Sequence, residues 1–366
     1  MNAPHLQIED LHTYFYSKQR QSFIHAVNGV SMDVMRGETL GIVGESGSGK
    51  SITMLSVMGL INASPGILQG QVRLHTENGE YNLLPSLDKH VTLKKQNGKI
   101  VEISKDLNRW NKDVNKIMSG VWSKEISMIF QNPKAAFSPF ETIGHQISES
   151  ILLHTNINSR TEAREKALYW LEKVKIDSPK IRYDNYPYGL SGGMCQRAMI
   201  AMALASEPSL LIADEPTTGL DATIQSKVVD LLDELKQQLG VTLIIISHDI
   251  GVISRLSDKI AVMYAGNVLE HGLADEILDI NSAMKHPYTR SLLSSIPSKD
   301  NLSEGGYLKS IDGEVPDTID VPEGCRFFER CKEKNDNITV QCAEKNPPLV
   351  SVSDTHKSRC WLYESK

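Results

Sequence analysis

The octapeptide Gly44-Glu45-Ser46-Gly47-Ser48-Gly49-Lys50-Ser51 is the stretch of this chain best equipped for chemistry, and it follows the apolar run Leu40-Gly41-Ile42-Val43. Its spacing is G-x-x-x-x-G-K-S, the pattern of a strand running into a glycine-rich loop and then a helix. Glycines let successive backbone N–H groups turn inward onto phosphate oxygens, and the helix start adds partial positive charge. In such a loop Lys50 reaches the β- and γ-phosphates, and the Ser51 hydroxyl completes a Mg²⁺ shell. A plain glycine-rich turn before a helix is the alternative, and the complete octapeptide in this context argues against it. The loop implies a nucleoside triphosphate ligand.

A second element reads Leu210-Leu211-Ile212-Ala213-Asp214-Glu215. A buried strand ending in Asp214 sets a carboxylate at the sheet's carboxyl edge, where it can hold Mg²⁺. Glu215, next in line, is placed to polarise a water for in-line attack on the γ-phosphate. An apolar run ending in Asp-Glu means little alone, but after a phosphate loop at this distance it is strong.

These groups need a parallel sheet to hold them. Leu210 to Ala213 and Leu243 to Ile246 are continuous apolar strands separated by an amphipathic helix from Ile224 to Leu239. That alternation predicts parallel strands with helices on both faces. Ahead of the loop, Leu6 to Val34 predicts antiparallel strands; after it, Ile52 to Ile61 predicts a helix, broken at Pro65-Gly66, with a strand resuming at Gly70. Residues 77–124 are polar and Lys/Asn-rich, with hairpin signals at Asn78-Gly79 and Asn97-Gly98, and read as a surface insertion. Ile126 to Phe130 predicts a strand, and residues 132–205 are mainly helical. Beyond Asp279 the chain becomes Pro-punctuated and loop-rich, which predicts a separate module over 281–366 after an ATPase domain over 1–280. The fold class is α/β, with an antiparallel β subdomain, a helical subdomain and a small Cys-containing extension.

With 366 residues the chain has room for such a plan. A formal net charge of −6 gives no support to a nucleic-acid binder, and no apolar run approaches the length of a membrane span. The N-terminus lacks a signal-peptide pattern, so the expected compartment is the cytoplasm.

Leu190-Ser191-Gly192-Gly193-Met194, just ahead of Asp214-Glu215, resembles the signature motif of ABC-transporter ATPases. Gln131 resembles that family's Q-loop glutamine, Gly219-Leu220-Asp221 its D-loop, His248 its switch histidine and Phe15 its base-stacking aromatic. Tyr14 and Tyr16 flank Phe15 closely, and sheet packing is the other reading of that position. The resemblance implies that Gln131 touches the metal or the attacking water and that His248 bonds a γ-phosphate oxygen. It also implies that Ser191, Gly192 and Gly193 face the γ-phosphate held by a partner ATPase, with Asp221 at the seam. Met194 and Cys195 depart from the commoner residues there, and Gly219 stands where Ala is more usual. None of these changes removes a catalytic position.

His286-Pro287-Tyr288-Thr289-Arg290 and the segment from Gly324 to Cys360 are similar to the tail of oligopeptide, dipeptide and nickel importer ATPases. Membership there implies a translocating ATPase working with two permease subunits, a separate binding protein and a second, related ATPase, a homodimer being the alternative. It also implies residence at the cytoplasmic face of the inner membrane. Soluble ABC ATPases of DNA repair or translation are the rival class, opposed by the acidic balance and the tail. Cys325, Cys331, Cys342 and Cys360 are spaced C-x5-C-x10-C-x17-C. Four thiolates can bind a [4Fe–4S] cluster or Zn²⁺, or stay free, and the spacing alone does not decide. The resemblance favours the iron–sulfur cluster, in a structural role.

Overall fold

A computed structural model describes residues 3–85, 87–96, 99–282, 284–295, 311–319, 321–336 and 338–364. Strands β1 (Leu6–Ser17), β2 (Ser22–Val34), β4 (Pro65–Thr76) and β5 (Gly79–Asn82) form an antiparallel sheet in the order β2-β1-β4-β5. The principal sheet takes β3 (Thr39–Val43), β8 (Ile126–Ile129), β9 (Leu210–Asp214), β10 (Thr242–Ile246) and β11 (Lys259–Tyr264), parallel in the order β8-β9-β10-β3-β11. Strand β12 (Asn267–Leu273) continues it antiparallel, followed by β14 (Lys357–Ser358) and β13 (Val350–Ser351). The parallel strands are buried on both faces, which is why they read as unbroken apolar runs. Leu211, Ala213, Leu243 and Ile245 face one core; Leu210, Ile212, Ile244 and Ile246 face the other.

Helix α1 (Lys50–Val57) leaves the phosphate loop and stops earlier than the sequence suggests, because Gly59 turns the chain at φ +67°. Pro65 starts β4 rather than breaking a helix, paired with Phe15 of β1, a position where a strand tolerates proline.

The stretch read as a surface insertion is more than that. It folds as α2 (Leu87–His90), the hairpin β6 (Val91–Gln96) with β7 (Lys99–Lys105), and α3 (Leu107–Met118). Trp110, Val114 and Met118 recur every fourth residue on α3 and are buried with Met54 and Val57 of α1. Gly59 lies under Val114, where a Cβ would crowd the valine. The hairpin signal at Asn78-Gly79 becomes the β4–β5 turn, whereas Asn97-Gly98 lies outside the described residues.

The helical stretch comprises α4 (Pro133–Ala136), α5 (Ile143–His154), α6 (Arg160–Lys173), α7 (Pro179–Tyr183) and α8 (Gly192–Leu204). Asn132, Thr142, Ser159 and Ser191 cap four of them by accepting from backbone N–H groups. Helices α9 (Ala222–Leu239), α10 (Ile250–Leu256) and α11 (Ala274–Leu278) belong to the cassette, and α12 (Pro287–Ser294) and α13 (Thr339–Glu344) to the tail. The tail packs directly on the cassette. Phe327 and Cys325 share one core with Tyr264 and Tyr288, and β14 hydrogen-bonds to β12.

Two buried histidines are expected to make the fold acid-sensitive. His5 Nδ1 meets Thr242 Oγ1 at 2.6 Å, and His286 Nδ1 accepts from the Tyr288 N–H at 3.0 Å. Burial pushes both down to about 4. Between pH 4 and 6.5 the unfolded chain therefore binds more protons than the folded one, so stability falls as pH drops through that window. Each contributes up to about 2 kcal/mol between pH 7.5 and 5. Urea midpoints are expected to fall over that range, and a midpoint that stays level would refute the assignment.

Candidate nucleotide site

Four neighbouring parallel strands deliver the candidate residues to one edge of the sheet. β3 runs into the phosphate loop, β9 ends at Asp214, β8 leads to Gln131 and β10 to His248. Gly44 at φ +154° and Gly49 at φ +96° are required by close approach as well as conformation. A Cβ on Gly44 would overlap the Met263 carbonyl, and one on Gly49 would overlap that of Ala26. Ser46 and Gly47 are exposed at the loop tip, while Ser48 is buried. Lys50 folds back over the loop, donating to the carbonyls of Gly44 at 2.8 Å and Glu45 at 2.9 Å and to Ser48 Oγ at 3.2 Å. Burial holds its ammonium below the ordinary lysine range, against the opposing pull of Glu215, Asp214 and Glu45.

Ser51 Oγ donates to Asp214 Oδ1 at 2.8 Å. Burial raises the Asp214 carboxyl above the usual range, and the Ser51 hydrogen bond works against that. Two oxygens thus meet where a hard divalent cation would find suitable donors. Glu215 sits in the left-handed region at φ +45°, its N–H tied to the Ile246 carbonyl at 2.9 Å. A non-glycine residue there is strained, and such strain concentrates at functional positions. Glu215 Oε2 accepts from Gln131 Nε2 at 2.9 Å and from Thr218 Oγ1 at 2.8 Å; His248 Nδ1 lies 3.4 Å from Oε1.

Ser191, Gly192, Gly193 and Asp221 meet elsewhere, in a cleft of about 470 Å³ that includes no phosphate-loop residue. Ser191 caps α8, accepting from Met194 N–H, and Asp221 caps α9, accepting from Ile224 N–H at 3.0 Å. Phe15 is half-buried in β1 opposite Ile24. Its neighbour Tyr14 is buried and stacked on His25 at 4.0 Å, and Tyr16 meets Phe23 edge-on. Cys195 is buried, its Sγ 3.3 Å from the Pro187 carbonyl and away from the other cysteines.

Sequence reasoning missed Thr218, whose hydroxyl braces Glu215, and three residues around Glu45. Tyr288 OH accepts from the Glu45 N–H at 3.0 Å across 243 residues, and Arg330 grips the Glu45 carboxylate beside Tyr264. No local pattern announces contacts at such separations. In the tail, Cys325, Cys331, Cys342 and Cys360 line one small cavity with Phe327 and Trp361. Burial pushes the Cys325 and Cys360 thiols up to about 12 and raises those of Cys331 and Cys342. Among the described residues no group of three or more His, Cys, Asp or Glu is set to hold a metal ion.

A phosphate loop and a carboxylate pair at the edge of this sheet, with a second, glycine-lined cleft at the capped starts of α8 and α9, define a nucleotide-hydrolysing cassette. A family model described as ABC transporter matches residues 27–218, and one described as the C-terminal region of oligopeptide/dipeptide transporters matches residues 269–337. The chain belongs to the ABC transporter family of ATP-hydrolysing subunits. It is 40% identical over 362 residues to the oligopeptide transport ATP-binding protein AppD of Bacillus subtilis, covering 99% of this chain and 97% of that one. It is also 40% identical over 361 residues to the dipeptide transport ATP-binding protein DppD of the same organism, covering 99% and 95%. The dimeric cassette MJ0796 shares the fold, with a TM-score of 0.56 and 24% identity over 74% of this chain and 98% of that one. Among the described residues no helix is long and apolar enough to cross a membrane.

Proposed function

We propose that this chain hydrolyses ATP to drive the uptake of di- or oligopeptides through a membrane permease. The convergence of Lys50, Ser51, Asp214, Glu215, Gln131 and His248 at one sheet edge carries the hydrolytic part. The names of the relatives, which extend over the tail as well, support the cargo class.

In this reading the N–H groups from Gly44 to Ser51 and the Lys50 ammonium bind the phosphates, and Phe15 stacks on the base. Ser51, Asp214 and Gln131 would hold Mg²⁺, which when bound neutralises charge on the phosphate oxygens. Glu215 takes the proton of the attacking water, Gln131 orients that water, and His248 bonds a γ-phosphate oxygen. Ser191, Gly192 and Gly193 receive the γ-phosphate of a second, related ATPase, with Asp221 at the seam. Two permease subunits dock on the helical side, where Phe130, Phe140, Leu153 and Tyr188 are exposed. The chain then works peripherally at the cytoplasmic face of the inner membrane, with a separate binding protein supplying cargo and no nucleic acid involved.

Cys325, Cys331, Cys342 and Cys360 are the proposed ligands of a [4Fe–4S] cluster. All four line one small cavity, which together with the resemblance of the tail supports that choice. When bound, the cluster would cross-link four points of the tail.

Anaerobic co-expression with candidate permease subunits, followed by affinity purification and iron, sulfide and zinc analysis, tests the proposal. Co-elution with a multi-spanning partner and about four irons per chain is expected. A metal-free chain would remove the cluster, and a chain that never meets a membrane partner would sink the importer reading.

A further inference from the structure

Glu45 brings into the phosphate-binding loop a charge that opposes that of the ligand. Glu45 is the second residue of the loop, and its charge is felt by the Lys50 ammonium. The tail supplies the counter-charge. Arg330 Nη1 donates to Glu45 Oε2 at 2.7 Å and Nη2 donates to Oε1 at 3.1 Å, a bidentate pair with Arg330 only 6% exposed. The guanidinium is itself fixed. Its Nε donates to the Asp312 carbonyl at 2.8 Å, its Nη1 to Tyr264 OH at 3.1 Å, and it lies over the Tyr264 and Phe327 rings. From the other side, Tyr288 OH accepts the Glu45 N–H at 3.0 Å. The carboxylate is therefore neutralised, and the backbone at Glu45 is pinned from the tail.

We propose that Arg330 is a positioning residue of the nucleotide site, cancelling the charge of Glu45 so that the loop accepts a polyanion. Without it, an unpaired carboxylate would stand beside incoming phosphates in a partly buried site, where like charges repel far more strongly than in water. The inference rests on the assignment of Gly44–Ser51 as the ATP phosphate site. It adds that nucleotide affinity is set partly by a residue 285 positions away, next to Cys331.

The test is a charge-rescue cycle on the purified chain, read as the Kd of a fluorescent ATP analogue and as KM and kcat for ATP. Arg330→Gln is expected to raise Kd and KM on the order of tenfold while kcat at saturating ATP holds, with a larger effect at low salt. Glu45→Gln introduced into Arg330→Gln is expected to bring Kd back toward the starting value. Arg330→Lys, which keeps the charge but not the fork, is expected to fall between. A double variant as weak as Arg330→Gln would overturn the charge argument, as would an Arg330→Gln chain with unchanged Kd. Failure of the unaltered chain to bind the analogue would instead defeat the ATP-site assignment itself.

Discussion

Glu215→Gln is expected to lower ATP turnover by about 10²- to 10⁴-fold, the usual contribution of a positioned general base, while ATP binding is retained or tightened. The amide cannot take a proton from water. It also swaps one acceptor oxygen for a donor where Gln131 Nε2 and Thr218 Oγ1 already donate. Binding survives because Glu215 repels rather than attracts the phosphates: its charge helps hold the Asp214 carboxyl up and opposes ligand charge near Lys50. With binding intact and hydrolysis blocked, an ATP-bound dimer is expected to accumulate. Phosphate release and size-exclusion chromatography with Mg·ATP read both effects. Turnover within a few-fold of the unaltered chain would strip Glu215 of its assigned role.

Lys50→Ala is expected to weaken ATP binding by about 10- to 150-fold, the equivalent of one charged hydrogen-bonding group at ~1.5–3 kcal/mol. The ammonium also donates to the Gly44 and Glu45 carbonyls and Ser48 Oγ, so it braces the loop itself. The variant therefore loses both a phosphate contact and the shape of the loop. Equilibrium dialysis with labelled ATP measures the first, and an unchanged Kd would refute the phosphate role. Thermal unfolding without nucleotide registers the second.

The parts legible in the sequence were those whose physics is local. The Leu40–Val43 run, the glycines and Lys50 sit within one strand–loop–helix unit, so spacing alone defined it. Asp214 and Glu215 could be placed because a buried parallel strand has a single carboxyl end. The region from 77 to 124 was harder. Its helix buries only Trp110, Val114 and Met118 among polar neighbours, so composition concealed a core-facing stripe. The way the tail attaches was not legible, since prolines and short elements carry no sign of their distant partners. Its attachment runs through Phe327, Arg330 and Tyr288, whose partners at Tyr264 and Glu45 are distant in sequence.

The pairing of β14 with β12 has a consequence for how the chain is made. Glu270 and His356, which meet at this seam 2.7 Å apart, are separated by 86 residues. At roughly 5–20 residues per second, the β12 edge waits about 4–17 s on the ribosome before its cover is synthesised. For that interval the nascent sheet presents unpaired backbone groups, the feature that templates intermolecular pairing. Expression temperature and chaperone supply then become determinants of yield. Slowed translation between codons 274 and 356 is expected to favour aggregates over folded chain.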